Sequence, residues 1–476
     1  MNSESNKNSP AYHNEAHDEM ERRWDIIEAV SGGTLELRDG GAKWLPLEPA
    51  EDQRDYAIRL RRAIFFNAFE RTLHGLVGLV FRKDPELADD NSDRIKELWE
   101  NIDNAGTHGA VFAKEAFTIA CKYGHSLIYV DMPPALPEGA TLADERAANR
   151  RPYWVMYEPD QIVNWRVESV NGQSMVTLLV LEEETNEPDG LYGEEEVTRY
   201  RVLRPGYWEL FREVKNDLTG ATEYLLEATG ASSLPYIPVS VIYARKTGTL
   251  TSTPPLLDLA LINLAHYQKY SDYSTYLHIS SRPILWFRGR DISKGVEAIG
   301  PYTFFDVDGT NGNVGFAETS GAALGAAKAD IDHLEKQMAM LGLTLLAGNK
   351  PVQQTATEAL LDSVKEESDL ATAARSLQDA LELALQYTAA YEGIESGSVA
   401  LGSTMTDLTL SPEEMRVWID SADKVFSKNT IYEVFKQAGK LPDGFNADQE
   451  RIAIEADAST MGDQLLAAFD QGKPIA

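Results

Sequence analysis

The sequence predicts an α+β protein, and three observations carry that expectation. Residues 256–279 and 324–341 place apolar side chains three and four apart, which is helix periodicity. Residues 153–243 break instead into short runs rich in β-branched and aromatic side chains, with the hairpin dipeptide Asn171-Gly172 between two of them. Thr355 followed three residues later by Glu358 is a capping box, and it opens a further helix to Gly393 of roughly 35 residues, about 50 Å at 1.5 Å per residue.

Taken in order, residues 1–19 read as a disordered polar tail, with order setting in after about Ala16. Trp24, Ile27 and Val30 mark a short amphipathic helix from Glu19, ended by Gly32-Gly33. Tyr56, Leu60, Ile64, Phe69, Leu73, Leu76 and Val80 predict one long helix from Glu51 to Val80. Its other faces carry Arg54, Arg59, Arg61, Arg62 and Arg71, read as solvated or ion-paired. Helices follow at Ile95 to Ile102 and Ala110 to Tyr123, then a strand at Ser126 to Asp131.

In the β-rich segment, strands are expected at Ile162 to Val170, Met175 to Leu181, Val197 to Leu203, Tyr207 to Val214, Thr222 to Leu226 and Pro238 to Tyr243. Eight acidic residues and no basic one lie between Glu182 and Glu196, which reads as a solvated loop. Thr253 as N-cap with Pro254 and Pro255 then starts a helix whose expected seam includes Leu257, Leu261 and Leu264. Strands are expected at Ile284 to Phe287 and Tyr302 to Phe305, closed by a turn-rich stretch from Asp306 to Gly315. A second seam, Leu324, Ile331, Leu334, Met338 and Leu341, is narrow and wants a partner helix. Gly342 to Thr355 reads as a loop. After a strand-like end at Met405 to Leu410, Ser411-Pro412-Glu413-Glu414 opens a small helical tail at 412–426, 430–438 and 447–456.

Composition narrows the function classes. Against 44 Lys plus Arg stand 75 Asp plus Glu, a formal charge of −31, which argues against a surface built to grip nucleic acid or anionic lipid. One cysteine, Cys121, forbids an intrachain disulfide and fits a reducing compartment. The N-terminus does not read as a signal peptide, and the apolar windows are too short to span a bilayer, so no membrane partner is expected.

Motifs for chemistry are missing in the same way. Gly321 to Lys328 has the wrong spacing for a phosphate loop and no Ser/Thr after its lysine. Around Asp306 and Asp308, calcium-loop position six is Asn311 and position twelve is Ala317, so both required residues are displaced. The eight histidines show no His-Glu-x-x-His pair and no Cys/His cluster, and there is no Gly-x-Ser-x-Gly elbow. No catalytic residue, metal or cofactor is expected.

With these residues in view, the chain resembles the portal proteins of tailed bacteriophages. The stretches that carry the resemblance are Trp24-Asp-Ile-Ile with Gly32-Gly33, Trp44-Leu-Pro through Arg59-Leu-Arg-Arg, Phe66-Asn-Ala-Phe to Gly78-Leu-Val-Phe-Arg-Lys, and Gly124-His-Ser-Leu-Ile-Tyr-Val-Asp. The order of elements carries it further, across nearly the whole chain, on packing and turn motifs rather than catalytic ones.

The resemblance implies a ring, typically of twelve copies, at one capsid vertex of a virion assembled in the host cytoplasm. DNA would be pumped through it by the terminase large subunit and would later leave. It implies a wing at 20–252 (helical 20–124, β-rich 125–252) with a wing strand at 394–410. Stem helices would lie at 253–280 and 323–341, a clip at 281–322, a tunnel loop at 342–355, a long helix at 356–393 and a short crown at 411–476. Expected partners are further copies of the chain, terminase, major capsid and scaffolding proteins, a head-completion adaptor, and double-stranded DNA passing without sequence readout.

Asn349, Lys350, Gln353, Gln354 and Thr355 would be the loop residues near DNA. Arg282, Arg288, Arg290 and Lys294 would make a locally basic clip facing terminase. Nine acidic residues in 357–395 against Lys365 and Arg375 suit a bore that does not hold phosphates. The competing reading is a cytosolic helical adaptor whose long helices form an ordinary hairpin without ring assembly.

Overall fold

The computed structural model describes residues 7–49, 51–133, 141, 149–170, 172–216, 220–281, 284–288, 312–317, 322–347 and 369–401, with isolated positions between 431 and 450. Two compact units divide the chain: Met1–Gly78 with Leu87–Ala400, and Leu79–Glu86 with Leu401–Ala476. In the second, Ile431 is a buried helical residue. The rest of the expected crown, 411–476, lies almost wholly outside the described residues, as does the first third of the expected long helix, 356–368.

The fold is mixed α+β. In chain order it runs α1 (Glu15–Asp39), α2 (Gln53–Arg62), α3 (Ala68–Val80), β1 (Glu86–Leu87), α4 (Asp93–Trp99), α5 (Gly109–Tyr123), β2 (His125–Asp131) and β3 (Tyr153–Tyr157). Next come β4 (Ile162–Val170), β5 (Gln173–Asp189), β6 (Gly193–Arg204), β7 (Tyr207–Lys215), β8 (Thr222–Ala231), β9 (Val239–Tyr243), β10 (Lys246–Gly248) and β11 (Thr251–Ser252). The last stretch holds α6 (Leu257–Ser280), β12 (Ile284–Arg288), β13 (Asn313–Ala317), α7 (Ala322–Ala347), α8 (Asp369–Glu392) and β14 (Val399–Ala400).

The N-terminal helices depart from the sequence expectation in three places. Of the expected tail, residues 9–19 have fixed partners or helical structure: Asn14 caps α1, its carboxamide accepting from the His17 N–H at 2.8 Å, and its own N–H donates to the Val163 carbonyl at 3.2 Å. Gly32-Gly33 does not end the helix. Gly33 takes φ +75°, which only glycine adopts cheaply, and α1 bends there and resumes to Asp39. The single helix expected from Glu51 to Val80 is two, because residues 63–66 alternate: Ala63 and Phe65 are buried while Ile64 and Phe66 are exposed. A period of two over these four positions overrides the helical spacing, and Ala63 is extended at φ −62°, ψ 127°. Among the arginines of this region, Arg59 is buried and binds both carboxylate oxygens of Glu51 at 2.8 Å and the Pro46 carbonyl at 2.6 Å.

β2 is the centre of the body, buried at all seven positions. It pairs antiparallel with β3 and β9 in the order β3-β2-β9. Strand alternation sends its two sets of side chains to different layers. Leu127 and Tyr129 join Tyr157, Ile162, Leu179, Leu181 and Leu203 in a core shared with the second sheet. On the opposite face the Ser126 hydroxyl donates to the Ala116 carbonyl of α5 at 2.7 Å. Trp154, paired with Val130, donates from its indole to Thr388 of α8 at 2.8 Å and lies edge-on to Phe112 of α5. Two helices, a three-stranded sheet and a second sheet are therefore stacked in that order. The turn from α5 into β2 needs Gly124: at φ +106° a Cβ would stand 2.9 Å from the Thr253 carbonyl carbon and closer still to Ser252.

The second sheet is an antiparallel meander ordered β4-β5-β6-β7-β8, with β4 and β8 at its edges. The stretch from Glu182 to Glu196, expected as a loop, is instead a ladder in which Glu187 faces Glu195 and Pro188 faces Glu194 across β5 and β6. Like charges tolerate this pairing because basic groups arrive from other positions of the sheet. Arg199 binds Glu187 and Glu227, and Arg212 reaches Glu187 at 3.0 Å. Deeper in, Arg201 binds Glu183 at 2.5 Å and lies 3.7 Å from Asp131. Tyr157 donates to Glu183 at 2.6 Å, and Tyr153 and Tyr129 donate to Asp131 at 2.9 and 3.0 Å. On β8, Leu225 and Leu226 are both exposed.

Replacing Arg201 by Met leaves the half-buried Glu183 and the buried Asp131 without their cation. The expected loss is about 3 kcal/mol, read as a lowered midpoint in chemical denaturation. An unchanged midpoint would show that the three tyrosines alone satisfy these carboxylates.

His125 gives a pH prediction. Fully buried, with Nδ1 2.7 Å from the Ser252 hydroxyl, its ring is held down at about 3 by desolvation against an ordinary 6.5. Below pH 6.5 the unfolded chain takes up a proton that the folded chain refuses until about pH 3. This contribution is therefore intact above 6.5 and is lost as pH falls. Between pH 7 and 5 the wild type should lose about 2 kcal/mol more than His125→Asn, measured by denaturation at each pH.

Candidate assembly interface

α6 and α7 form a hairpin. The contacts between them fix its direction, since Lys269 meets Asp330 at 2.5 Å and His266 meets Glu335 at 3.5 Å: advancing along one helix retreats along the other. β12 and β13 close its far end as an antiparallel pair from Ile284↔Ala317 to Arg288↔Asn313. The Trp286 indole lies against Gly315, so close that a Cβ there would stand 3.0 Å from the ring. Of the expected Asp306 to Gly315 turn, Asn313 to Gly315 belong to β13, because Val314 and Phe316 continue a strand. Tyr302 to Phe305 lie outside the described residues.

The base of α6 is fastened to the body by polar groups. Asn263, fully buried, accepts from the N–H groups of Ala68 and Phe69 at 3.0 Å each and donates to the Phe66 carbonyl at 2.8 Å. Asn67 accepts from the Glu70 N–H at 2.9 Å. Two asparagines thus satisfy the first three N–H groups of α3, one from its own N-cap and one from another helix. Gln268 donates to the Trp44 carbonyl at 2.8 Å, and Arg59 lies 3.5 Å from Asp272. Burial raises the Asp272 carboxyl above its ordinary value, with Arg59 opposing. Beyond Asp272 the helix opens: Tyr276, Leu277 and His278 are exposed.

The predicted seams are placed unequally. On α7, Ile331, Leu334 and Met338 are buried, with Leu324 and Leu341 half-buried. On α6, Leu257 and Leu264 are half-buried and Leu261 is 43 % exposed. The buried face of α6 is instead Leu259, Ala260, Asn263, His266, Tyr267 and Ser271. An apolar-only pattern missed it because half of those residues are polar. An asparagine inside a helix, flanked by Ile262 and Leu264, was the available signal. Tyr270 and Leu277, on the side of α6 that holds Asn263 and His266, are 41 % and 45 % exposed, and Tyr276 is 38 % exposed.

α7 continues to Ala347, so Gly342 sits inside a helix rather than opening a loop; no helix-breaking proline follows until Pro351. The loop residues Asn349, Lys350, Gln353, Gln354 and Thr355 lie outside the described residues, as do Arg282, Arg290 and Lys294. Arg288 is described, exposed at the end of β12. Three of the four acidic residues of α8 are engaged within the chain, and the fourth, Asp379, is exposed. Glu392 binds Arg94 at 3.2 Å, Glu382 accepts from Gln378 at 3.1 Å and from the Val399 N–H at 3.3 Å, and Asp369 lies 4.0 Å from Arg245. Ten residues of α8, from Leu370 to Ala389, are buried.

Comparison with known proteins adds the following. A family model described as a domain of unknown function (DUF4055) matches residues 255–392. That span begins at the start of α6 and ends with α8. No curated protein matches the chain. Among solved structures, a chain from the virion of a native gene transfer agent (GTA) particle is similar with a TM-score of 0.40 and 11% identity, covering 84% of this chain and 98% of that one. A chain from the neck of an empty GTA particle, computed with C6 symmetry, has a TM-score of 0.40 and 13% identity over 84% and 98%. One from the neck of a native GTA particle, computed with C12 symmetry, has 0.39 and 12% over 81% and 94%. Among the described residues no helix is long and apolar enough to cross a membrane.

Asn263→Ala removes an oxygen that accepts two hydrogen bonds and an amide that donates a third at a buried junction. It should cost about 2 kcal/mol. The loss should appear as faster hydrogen exchange at Ala68 and Phe69 together with a lowered melting temperature. Unaltered exchange there would mean that water replaces the carboxamide.

Proposed function

We propose that this chain is the subunit of a phage-type portal ring, a conduit for double-stranded DNA that docks terminase during packaging and head-completion proteins afterwards. One observation carries the reading: a helical hairpin with a β tip, tied to the body at its base, leaves Tyr270, Tyr276, Leu277 and Trp286 exposed. Apolar side chains in open positions along one element favour a partner surface. Repetition of a single head-to-tail contact, closed by rotation, turns such a surface into a ring. The portal resemblance of the sequence supplies the class of ring, and the excess of acid over base suits a passage that must not hold phosphates. In this role the chain carries no catalytic step; the packaging motor does that work.

The test is the mass of the purified chain in solution, followed by negative-stain imaging. A discrete assembly of roughly a dozen copies around a hole is expected. Leu277→Glu with Tyr276→Glu should dissolve it into smaller species whose circular dichroism is unchanged. A wild type that stays monomeric or dimeric across salt, concentration and added scaffold protein would replace this reading with that of a helical adaptor.

A further inference from the structure

The first turn of α1 and the residue before its cap hold a cluster that neither the sequence motifs nor the assembly reading uses. His13, His17 and Asp18 each offer one ligand atom, and the three atoms lie within 4.8 Å of one another. The His13 and His17 Nδ1 atoms are each 3.8 Å from the same Asp18 oxygen, and the two rings meet edge-on at 4.4 Å. The spacing of four between the histidines is the signal that a search for His-Glu-x-x-His passes over, because the residue after His13 is the helix cap Asn14.

His17 is the group that points to a ligand. Its side chain is only 2 % exposed, and its Nε2 lies 3.0 Å from the Asp160 carbonyl. A carbonyl only accepts, so Nε2 carries the proton and Nδ1 carries the lone pair. That Nδ1 is buried, has no hydrogen-bond partner, and faces His13 and Asp18. A buried imidazole nitrogen fixed as an acceptor by a carbonyl behind the ring is how metal-binding histidines are commonly held. A hydrogen-bonded acceptor beside a donor would explain the site without an ion, but Nδ1 has none.

We propose that His13 Nδ1, His17 Nδ1 and an Asp18 oxygen bind a divalent transition-metal ion, with zinc the best match to two imidazoles and one carboxylate and water completing the shell. Ligand atoms about 2.1 Å from a tetrahedral ion stand about 3.4 Å apart, so the cluster must close by at most about 1.4 Å. His17 is fixed. His13 and Asp18, 35 % and 43 % exposed, are free to turn inward. The ion would join the segment before α1 to the helix itself. Asn14 already bonds to Val163 of β4, and Asp160 lies just before that strand, so the same ion would secure the N-terminal segment at the edge of the second sheet.

The experiment is calorimetric titration of the full-length protein with zinc chloride in a non-chelating buffer, repeated on His13→Ala and Asp18→Asn. Both side chains are partly exposed, so neither variant should unfold, and circular dichroism checks this. The wild type should take up one tight equivalent per chain, and each variant should weaken it more than about tenfold, since loss of an outer-shell partner alone costs 10–100-fold. Weak binding to the many surface carboxylates is common to all three proteins and cancels in the comparison. Cobalt(II) in place of zinc should give visible absorption bands that both variants lose. Absence of a saturable tight equivalent in the wild type, or its survival in both variants, overturns the proposal.

Discussion

The carboxamide of Asn263 is the point on which the hairpin and the body both depend. A helix that belongs to the core along half its length and leaves it along the other half cannot be held by apolar packing alone, because its apolar face is interrupted where it emerges. Asn263 solves this by completing the start of α3, whose Phe69 N–H would otherwise be buried unpaired. The cost of separating α6 from the body is then not only lost contact area but an orphaned donor at Phe69, with the Ala68 N–H and the Phe66 carbonyl left only to each other. The body fixes where α6 starts, and α7 follows from α6 through Lys269 and His266.

Charge is arranged with the same economy. An excess of 31 negative charges would repel itself if spread evenly. Here the described acids are drawn into local pairs wherever chain segments meet: Glu392 to Arg94, Glu51 to Arg59, Glu183 to Arg201, Glu187 to Arg199 and Arg212. All but Glu51–Arg59, which are eight residues apart, join segments distant in sequence or different strands of one sheet. The basic residues, fewer in number, act as fasteners between elements, and the unpaired remainder of the acid is left to solvent.

Much of this was legible in the sequence. Helical spacing located α6 and α7, the Asn171-Gly172 turn located the β4–β5 hairpin, and the α7 seam at Ile331, Leu334 and Met338 is buried. What was not legible has physical causes. The ladder of Glu182 to Glu196 reads as solvent-exposed acid until the arginines of β6 and β7 are brought alongside, and no local pattern announces them. The break at residues 63–66 is two apolar residues turning inward by alternation inside a stretch whose wider spacing is helical. The buried face of α6 escaped because Asn263, His266 and Ser271 are polar, and their partners lie on other helices. His13 and His17 went unnoticed for a related reason: only the fold places a carbonyl behind one ring and a carboxylate before both.

The edge strand β8 has a consequence for handling the protein. Its outer side offers backbone groups to any extended segment that drifts past, and Leu225 and Leu226 put an apolar side chain on each face of that edge. Glu223 flanks the pair on one side, and on the other the register skips Glu227 between Phe211↔Leu226 and Leu210↔Ala228, a bulge in β8 that bends the ribbon away from the flat form that stacking requires. Keeping this edge from adding strands thus rests on Glu223 and one bulge, since Glu227 is already paired with Arg199. High salt, which screens charge and leaves the leucines as they are, is the condition under which this edge would begin to gather other chains into aggregates.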